Sequence, residues 1–209
     1  MPVLHDVRIA QLHVGSEGKE LRLPTLDVDE LALAFEATTD TLVLTARIDV
    51  ADQLVDIEAR VPQFHAGFNA RVVDFSASAR SPVASLVTAG KLDFVEPQFT
   101  LDGELSAQAS DLNQLPTGIQ GLKAPGTLAA RAQLAGTVEQ LAVSDIAVQW
   151  RGPQQSSLEI KGAIDDLDDL AGVALDVSGQ LGESPWLAAV LPDTVGMLKR
   201  VALSGHISG

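Results

Sequence analysis

The sequence predicts a mainly β protein: a long antiparallel β-sheet that is curled into an elongated groove of repeats and carries a few short helices. Three features support this prediction. Apolar and polar residues alternate along most of the chain, short polar segments separate the alternating runs, and similar helix-plus-strand units recur. Alternation of this kind is expected for antiparallel strands that are buried on one face and wet on the other.

The alternating runs predict the strands in chain order. In the run "TLVLTARIDV" from Thr41 to Val50, every second residue is aliphatic and would fall on one face of a strand. Further strands are predicted by the same pattern at residues 64–72, 99–109, 128–138, 146–150, 158–164 and 173–181. Each predicted strand therefore has one apolar and one polar face.

Polar segments predict the turns, and three segments carry helix signals. Turns are predicted at residues 15–18, 38–40, 151–157 and 165–169. A serine followed by a proline opens the segment Ser184–Leu198, as at the N-cap and first position of a helix. Weaker signals of the same type predict short helices over Ser81–Val87 and Ser110–Leu122.

Internal similarity divides the chain into related units. The segment "LPTGIQGLK" at Leu115 returns as "LPDTVGMLK" at Leu191. A strand motif with an aliphatic residue two positions before glycine occurs at Leu101, Leu134, Ile160 and Leu203. We therefore expect residues 1–80 to be a strand segment of the groove, and residues 81–209 to be repeated short helix-plus-strand units of the same elongated domain.

Composition excludes several classes of partner. The chain has 209 residues, a formal net charge of −14, no cysteine and no tyrosine. Such a charge repels nucleic acid, and the scarcity of aromatic residues disfavours binding of nucleobases or sugars by stacking. Without cysteine there is no disulfide or thiolate chemistry. No apolar run has the roughly 18–20 residues that a membrane-spanning helix needs, and the amino-terminal residues do not form a signal peptide.

One acidic cluster raises the question of a metal site. Asp165, Asp166 and Asp169 spell the DDxxD pattern of magnesium–diphosphate sites, with Asp168 beside them. That chemistry requires the aspartates on a long helix facing a second acidic motif, whereas here they separate two predicted strands. A solvated turn is the favoured interpretation. No catalytic residue, metal ligand set or cofactor motif is identified, so we expect a protein that is not an enzyme.

The second half of the chain resembles the AsmA-like and TamB-like proteins of bacterial envelopes. The resemblance rests on "LAGTVEQLAVSDIAVQW" at Leu134, "IKGAIDDLDDLAGVALDVSGQL" at Ile160 and "SPWLAAVLPDTVGMLKRVALSGHISG" at Ser184. These segments share that family's succession of glycine-containing strand, Asp-Leu turn, amphipathic strand and short helix. The likeness covers residues 101–209, and residues 3–80 by strand pattern only. The chain ends within a predicted strand, and we expect it to be an internal fragment of a longer protein.

The resemblance implies a bridge-like lipid-transfer protein. Members of the family have a β-groove with an apolar interior, are anchored in the inner membrane and span the periplasm. The expected function is therefore binding of phospholipid acyl chains and transport of lipid between the inner and outer membranes, in outer-membrane biogenesis. The expected location is the periplasm, as part of an inner-membrane-anchored protein. Lipid identity and envelope protein partners are left open.

The predicted groove lining consists of apolar residues that share the in-facing position of their strands. We nominate Phe64, Phe68, Phe99, Leu101, Leu105, Leu134, Val138, Val148, Leu158, Ile160, Ile164, Leu175, Val177 and Leu203. The alternative hypothesis is a structural β-scaffold or envelope interaction module, whose apolar face is filled by its own side chains and holds no lipid. Trp150 and Trp186 are interpreted as structural residues.

Overall fold

The described part of the chain forms a single antiparallel β-sheet with one α-helix. In the computed structural model, the described residues are 6–9, 12–14, 26–50, 53–94, 99–114, 125–137, 140–167, 169–182 and 200–209. These residues contain thirteen strands that belong to one sheet. The protein is therefore mainly β, as the alternation predicts.

The strands are β1 Asp6–Ile9, β2 Leu12–Val14, β3 Leu26–Glu36, β4 Thr41–Val50, β5 Gln53–Val61, β6 Val72–Arg80, β7 Ala84–Asp93, β8 Thr100–Ala109, β9 Thr127–Thr137, β10 Leu141–Arg151, β11 Ser157–Ile164, β12 Ala174–Gly182 and β13 Arg200–Ser208. The α-helix α1 spans Phe64–Ala70, and a single 3₁₀ turn spans Leu112–Gln114.

The sheet is a meander in which neighbours in sequence are neighbours in space. Strand order runs from β3 to β13 without a crossover, and β1 and β2 both pair with β3 at one edge. Among the described strands β13 pairs with β12 alone, so the sheet is open. The pairing continues across residue 80, because β6 and β7 form a hairpin there.

The pairing register gathers the apolar side chains of all these strands on one side of the sheet. Directly paired residues of antiparallel strands point to the same face. Leu44 pairs with Leu33 and with Ala59, and Ile160 pairs with Val148 and with Val177. We call this side the apolar face. It comprises residues 31, 33 and 35 of β3, the β4 residues that pair with them, and so on from each strand to the next. The opposite side is the polar face.

Two β-bulges keep the apolar face continuous where the alternation shifts phase. The register shifts between Val28 and Glu30 of β3, and again between Ser144 and Ala147 of β10. In β10, Asp145 has a φ of 50°, the left-handed conformation found at some bulges. The extra residue restores the in-facing position, so that Val143 and Ile146 both lie on the apolar face although they are three residues apart.

Two predicted elements are wrong. The predicted strand at residues 64–72 is helix α1 followed by the start of β6. A repeat of apolar residues at positions 64, 66, 68 and 70 also matches helical i, i+4 spacing, so a short run of this kind does not decide between helix and strand. The helix predicted over Ser81–Val87 is a turn followed by β7.

The other two predicted helices lie mostly or wholly outside the described residues. Of the helix predicted over Ser110–Leu122, the described residues contain only the 3₁₀ turn at 112–114, and the remainder lies outside the described residues. The helix predicted over Ser184–Leu198, Trp186 and the repeated segments at Leu115 and Leu191 also lie outside them.

Helix α1 packs against one end of the apolar face. The ring of Phe64 meets Phe35 edge-on at a centroid distance of 6.5 Å. Gly67 lies against β6: a Cβ atom added to Gly67 would be 3.4 Å from the Cα of Val73. Val73 is 4 % exposed. The helix therefore covers the apolar face near the starts of β4 and β6, and it is the only α-helix among the described residues.

Candidate functional site

The apolar face is the most extensive chemical feature of the described structure. From β3 to β13 its side chains are aliphatic, aromatic or glycine, apart from Gln53 and Thr88. Thr88 donates a hydrogen bond to the backbone carbonyl of Glu104 at 2.8 Å, which satisfies its hydroxyl group. A surface of this size without a charge is unusual on a soluble monomer and marks a binding surface or an interface.

Much of this face is not covered by the described residues. Among the described residues of the apolar face, Val73, Ala109, Val143, Trp150 and Leu181 are buried; Val43 is also buried but lies on the polar face. Other residues of the apolar face are half-buried, and Leu86, Leu203 and Ile207 are 41 %, 40 % and 53 % exposed. The whole chain exposes 14561 Å², whereas a compact monomer of 21.9 kDa is expected to expose about 9,300 Å². Leu86, Leu203 and Ile207 are therefore accessible to another molecule on the apolar face.

The structure brings most of the nominated lining residues together on the apolar face. They are Leu101, Leu105, Leu134, Val148, Leu158, Ile160, Ile164, Leu175, Val177 and Leu203. Several are direct partners: Val148 pairs with Ile160, and Ile160 pairs with Val177 on its other side.

Four nominated residues are placed differently. Phe64 and Phe68 lie on α1 and not on a strand; Phe64 packs at the end of the apolar face, while Phe68 is 64 % exposed. Phe99 precedes β8 and stacks edge-on with Phe94 at 5.4 Å. Val138 lies outside the described residues. The predicted strand position of the two α1 residues is therefore wrong.

The nominated residues do not include those that the first half of the sheet contributes to the apolar face. Leu44, Ile57, Phe75 and Leu86 lie on the apolar face. The signal for Leu44 was present, since alternation in its strand is regular. Phe75 and Leu86 were missed because their strands were predicted partly as a different strand and as a helix. Trp150 is on the same face, 7 % exposed, paired with Leu128 and Leu158.

Glycines on the apolar face lie unusually close to the neighbouring strand. A Cβ atom at Gly90 would be 2.2 Å from the carbonyl oxygen of Asp102, and one at Gly162 would be 1.9 Å from that of Ala174. A Cβ of an ordinary strand residue would not meet the next strand's backbone. At both positions any larger residue would collide with the neighbouring strand, so glycine is required there.

A cavity lies on the apolar face near the ends of β4, β6 and β8. Its volume is about 270 Å³, and residues of six adjacent strands line it. They include Val50, Val55, Ala79, Leu86, Ala107 and Leu128. At its rim the side-chain amide of Gln53 donates to the carbonyl of Gln114, which joins β5 to the segment after β8. Since β6 and β7 lie between β5 and β8, this contact bridges over two strands of the sheet.

The polar face has a different chemistry. Arg47 pairs with Asp56, and Lys161 with Glu159, each at 2.8 Å between exposed side chains. The hydrogen bond from Lys161 lowers the pKa of the Glu159 carboxyl. A cavity of about 740 Å³ is lined by the charged residues Glu104, Arg131, Asp145 and Lys161 together with apolar residues such as Val87 and Ala89. Charges on this face keep it solvated, so the two faces are suited to different environments.

The acidic cluster lies in the turn that joins β11 to β12. Asp166 and Ala171 exchange two backbone hydrogen bonds of 3.1 Å, and the carboxylate of Asp166 accepts from the amide of Asp169 at 3.5 Å. Asp168 lies outside the described residues. Within the described ranges no three His, Asp or Glu side chains are grouped as a metal site. No helix in those ranges is long and apolar enough to cross a bilayer.

Comparisons with known proteins identify no relative. No protein-family model, curated protein or solved structure matches this chain.

Proposed function

We propose that this chain is a segment of an AsmA-like envelope protein, and that its apolar face binds phospholipid acyl chains during transport between the inner and outer membranes. The observation that supports this most strongly is the charge-free apolar face, which runs without interruption from β3 to β13. An acyl chain is the ligand for which such a surface is suited, because it offers methylene groups and needs no hydrogen-bond partner.

The proposal includes the shape of the sheet. The close approach of backbone at Gly90 and Gly162, together with the cavity lined by six strands, supports a sheet that curls around its apolar face into an elongated groove. In a groove of this kind the acyl chains lie inside. The headgroups stay at the open side, and the polar face contacts water.

The energy available is large enough for binding. Each methylene transferred from water contributes about 0.8 kcal/mol, so an acyl chain of about 16 carbons gains roughly 10 kcal/mol before the cost of ordering it. The gain does not depend on one residue. A surface with a repeated apolar lining lets a lipid move along it, because adjacent positions bind with similar free energy.

The alternative function, a scaffold with a self-filled core, is less consistent with the burial. A self-filled core requires the apolar side chains to be enclosed by the protein, whereas Leu86 and Leu203 remain about two-fifths exposed. On this proposal the molecule is an inner-membrane-anchored periplasmic protein that acts by binding and conducting lipid, and we propose no enzymatic activity.

Photo-crosslinking at two adjacent positions tests the proposal. Ile160 points to the apolar face, where it pairs with Val148 and Val177, and Glu159 points to the polar face, where it pairs with Lys161. A photoreactive residue is placed at position 160 or at position 159 in cells that make the intact protein. We expect lipid to be attached at position 160 and not at position 159, as detected by mass spectrometry. Lipid attached at neither position, or only at 159, would support the scaffold.

A charge on the apolar face should block lipid binding. Ile160→Glu places a carboxylate among acyl chains, where an unpaired charge costs several kcal/mol. We expect loss of co-purified phospholipid in native mass spectrometry, with circular dichroism unchanged. Glu159→Gln is the matched control because it alters the polar face without placing a second positive charge beside Lys161. Equal lipid content in both variants would contradict the proposal.

A further inference from the structure

The described residues that follow β8 are held by hydrogen bonds on two sides. The amide and the hydroxyl of Ser110 both donate to the carbonyl of Val83, in the turn between β6 and β7, at 2.8 and 3.2 Å. The amide of Leu112 donates to the carbonyl of Gly126, just before β9, at 3.0 Å. We call residues 110–114 the strap, and these bonds fix its first part.

Gln53 holds the other end of the strap on the apolar face. Its side chain points to this face, because Gln53 pairs with Val50 of β4, and its amide donates to the backbone carbonyl of Gln114. The side-chain amide of Gln114 donates to the carboxylate of Asp111 at 2.9 Å, which links the two ends of the strap. Because β6 and β7 lie between β5 and β8, the strap passes over the apolar face of the β6–β7 hairpin near its turn.

This contact explains a polar residue at an apolar position. Among the described strand residues, the apolar face contains two polar side chains, Gln53 and Thr88. Thr88 bonds to the backbone of the adjacent strand β8, whereas Gln53 bonds to the strap across two strands. A half-buried polar side chain on an apolar surface needs a hydrogen-bond partner, so the position of Gln53 favours a docked strap.

The strap crosses the sheet at the apolar cavity of about 270 Å³. Gln53 lies at the rim of this cavity, and Ala79 and Leu86 of the β6–β7 hairpin line it. Apart from Gln53, the strand residues of the apolar face that line it are valine, alanine and leucine, and no charged residue is among its described lining. An apolar cavity of about 150 Å³ stays dry and is large enough to hold benzene. The cavity therefore suits a ligand of several carbon atoms without a polar group.

We propose that this cavity holds the methyl end of one lipid acyl chain, and that the strap covers that end. The methyl end is the part of a lipid that has no charge and no hydrogen-bonding group. A phosphate or ammonium headgroup finds no charged partner among the described residues of the lining. This inference rests on the proposed function, since the chain belongs to a lipid bound on the apolar face. It adds one position at which a chain end is held to a surface along which lipid otherwise moves.

Quenching of Trp150 fluorescence by brominated lipid locates the chain end. Trp150 pairs with Leu128, which lines the cavity, and paired Cα atoms of antiparallel strands are about 4.5–5.5 Å apart. Trp186→Phe removes the other of the two tryptophans. The protein is loaded from phosphatidylcholine vesicles with bromine near the methyl end or near the carboxyl end of one acyl chain, and is then separated from them.

We expect the methyl-end bromine to quench Trp150 more strongly than the carboxyl-end bromine. Equal quenching by the two lipids, or stronger quenching by the carboxyl-end bromine, overturns the inference. Bound lipid that does not quench Trp150 at all also overturns it, because the cavity is then filled by the protein itself.

Filling the cavity provides a second test. Ala79→Phe places a ring in the cavity. Ala77→Phe is the matched control, since Ala77 lies on the same strand and face but is not among the residues that line the cavity. Each methylene kept out of the cavity weakens binding about fourfold. We therefore expect lipid affinity to be at least about tenfold lower for Ala79→Phe, where two or more methylenes are displaced, and nearly unchanged for Ala77→Phe.

Native mass spectrometry measures bound lipid in both variants, and circular dichroism checks that each is folded. Lipid bound equally well by the unaltered chain and by Ala79→Phe overturns this inference and leaves the proposed function standing. An unaltered chain that binds no lipid overturns both.

A conservative change at Gln53 tests the strap. Gln53→Met keeps the length of the side chain and removes the donor to Gln114. One hydrogen bond of ordinary net strength corresponds to about a two- to tenfold change, so lipid with methyl-end bromine should leave faster by about that factor. Recovery of Trp150 fluorescence after addition of unlabelled vesicles measures the release. Gln133→Met, on the polar face, is the matched control. Equal release from the two variants overturns the covering role of the strap.

Discussion

Glycine has two roles on the apolar face, and the difference is visible at single residues. The strand motif found at Leu101, Leu134, Ile160 and Leu203 places a glycine on this face in each case. In β11 that glycine, Gly162, has a φ of 149° and lies against the backbone of β12. Gly205 of β13 has no atom within 4 Å of the position where a Cβ would be.

Alanine substitution should therefore have opposite consequences at these two positions. Gly162→Ala forces a left-handed-region φ and a collision with the carbonyl of Ala174, and we expect it to lower the free energy of unfolding by about 1–3 kcal/mol or more. Gly205→Ala meets no atom and restricts the unfolded chain, so stability should be unchanged or raised by up to about 1 kcal/mol. Urea denaturation of both variants gives the comparison. Equal losses would show that the close approach at Gly162 is not a constraint.

Asp40 links the turn after β3 to helix α1. Its carboxylate accepts from Nδ1 of His65 at 2.6 Å, and its backbone carbonyl accepts from the amide of Phe64 at 2.8 Å. The hydrogen bond from His65 is the main reason that the pKa of Asp40 is lowered from its ordinary value of 3.8. A lowered pKa means that folding favours the ionised form.

The lowered pKa of Asp40 determines how the stability of the protein changes with pH. Stability from a depressed carboxyl pKa is present above the unfolded value, near pH 4, and is lost as pH falls through the folded value. Asp40→Asn should therefore melt below the unaltered protein at pH 5 to 7, and the difference should shrink toward pH 3. Asp49→Asn removes an equal charge from β4 and serves as the control for net charge. A melting difference for Asp40→Asn that is constant from pH 7 to pH 3 would contradict this role.

At the scale of elements, the acidic turn between β11 and β12 is held by its own backbone. The exchanged hydrogen bonds between Asp166 and Ala171 close it, and Leu170 and Gly172 have φ values of 51° and 64°. Aspartate is common in such turns because its carboxylate accepts from nearby amides. The turn therefore has a structural explanation that needs no ion.

Metal should have no effect on the stability of this turn. We expect magnesium or calcium, added up to millimolar concentration, to leave the melting temperature almost unchanged. A ligand that binds the folded state raises stability with its concentration. A saturable increase in melting temperature at micromolar metal, lost in Asp166→Asn, would show that the turn is a metal site.

Several elements could be predicted from the sequence because one face of the sheet is apolar. The strands at 99–109, 128–138 and 158–164 correspond closely to β8, β9 and β11. The sequence prediction was wrong where the same local residues are compatible with two structures. The hydroxyl of Ser81 accepts from the amide of Ala84 at 3.1 Å, as it would at a helix N-cap, but here it closes a hairpin turn. Which solution forms depends on pairing with β6, a long-range contact that the local sequence does not contain.

The lining was less predictable than the strands because it depends on the phase of each alternation. The phase changes at Asp29 and at Asp145, where the bulges occur. Neither aspartate signals a bulge by itself. The nominated residues of β11 and β12 nevertheless share the apolar face, since both strands have regular alternation and a short connection.

On the scale of the whole molecule, the large exposed area has a thermodynamic consequence. Unfolding of a compact chain of this mass exposes about 22,000 Å², whereas the observed 14561 Å² leaves about 17,000 Å² to be exposed. Since the denaturant m-value scales with the area exposed on unfolding, we expect an m-value about three quarters of that of a compact protein of equal length. Urea titration followed by circular dichroism measures it. An m-value at the full compact level would mean that the apolar face is enclosed.

The meander topology also determines how the width of the sheet can change. From β3 onward each described strand pairs with its neighbours in sequence, so no pairing depends on the total number of strands. In such a linear array stability is close to a sum of nearest-neighbour terms. Inserting one hairpin adds roughly 10 Å of sheet width and leaves every other pairing in place. The number of hairpins therefore sets the width of the sheet, and duplication of a single hairpin is enough to extend the apolar face by that width without disturbing the existing pairings.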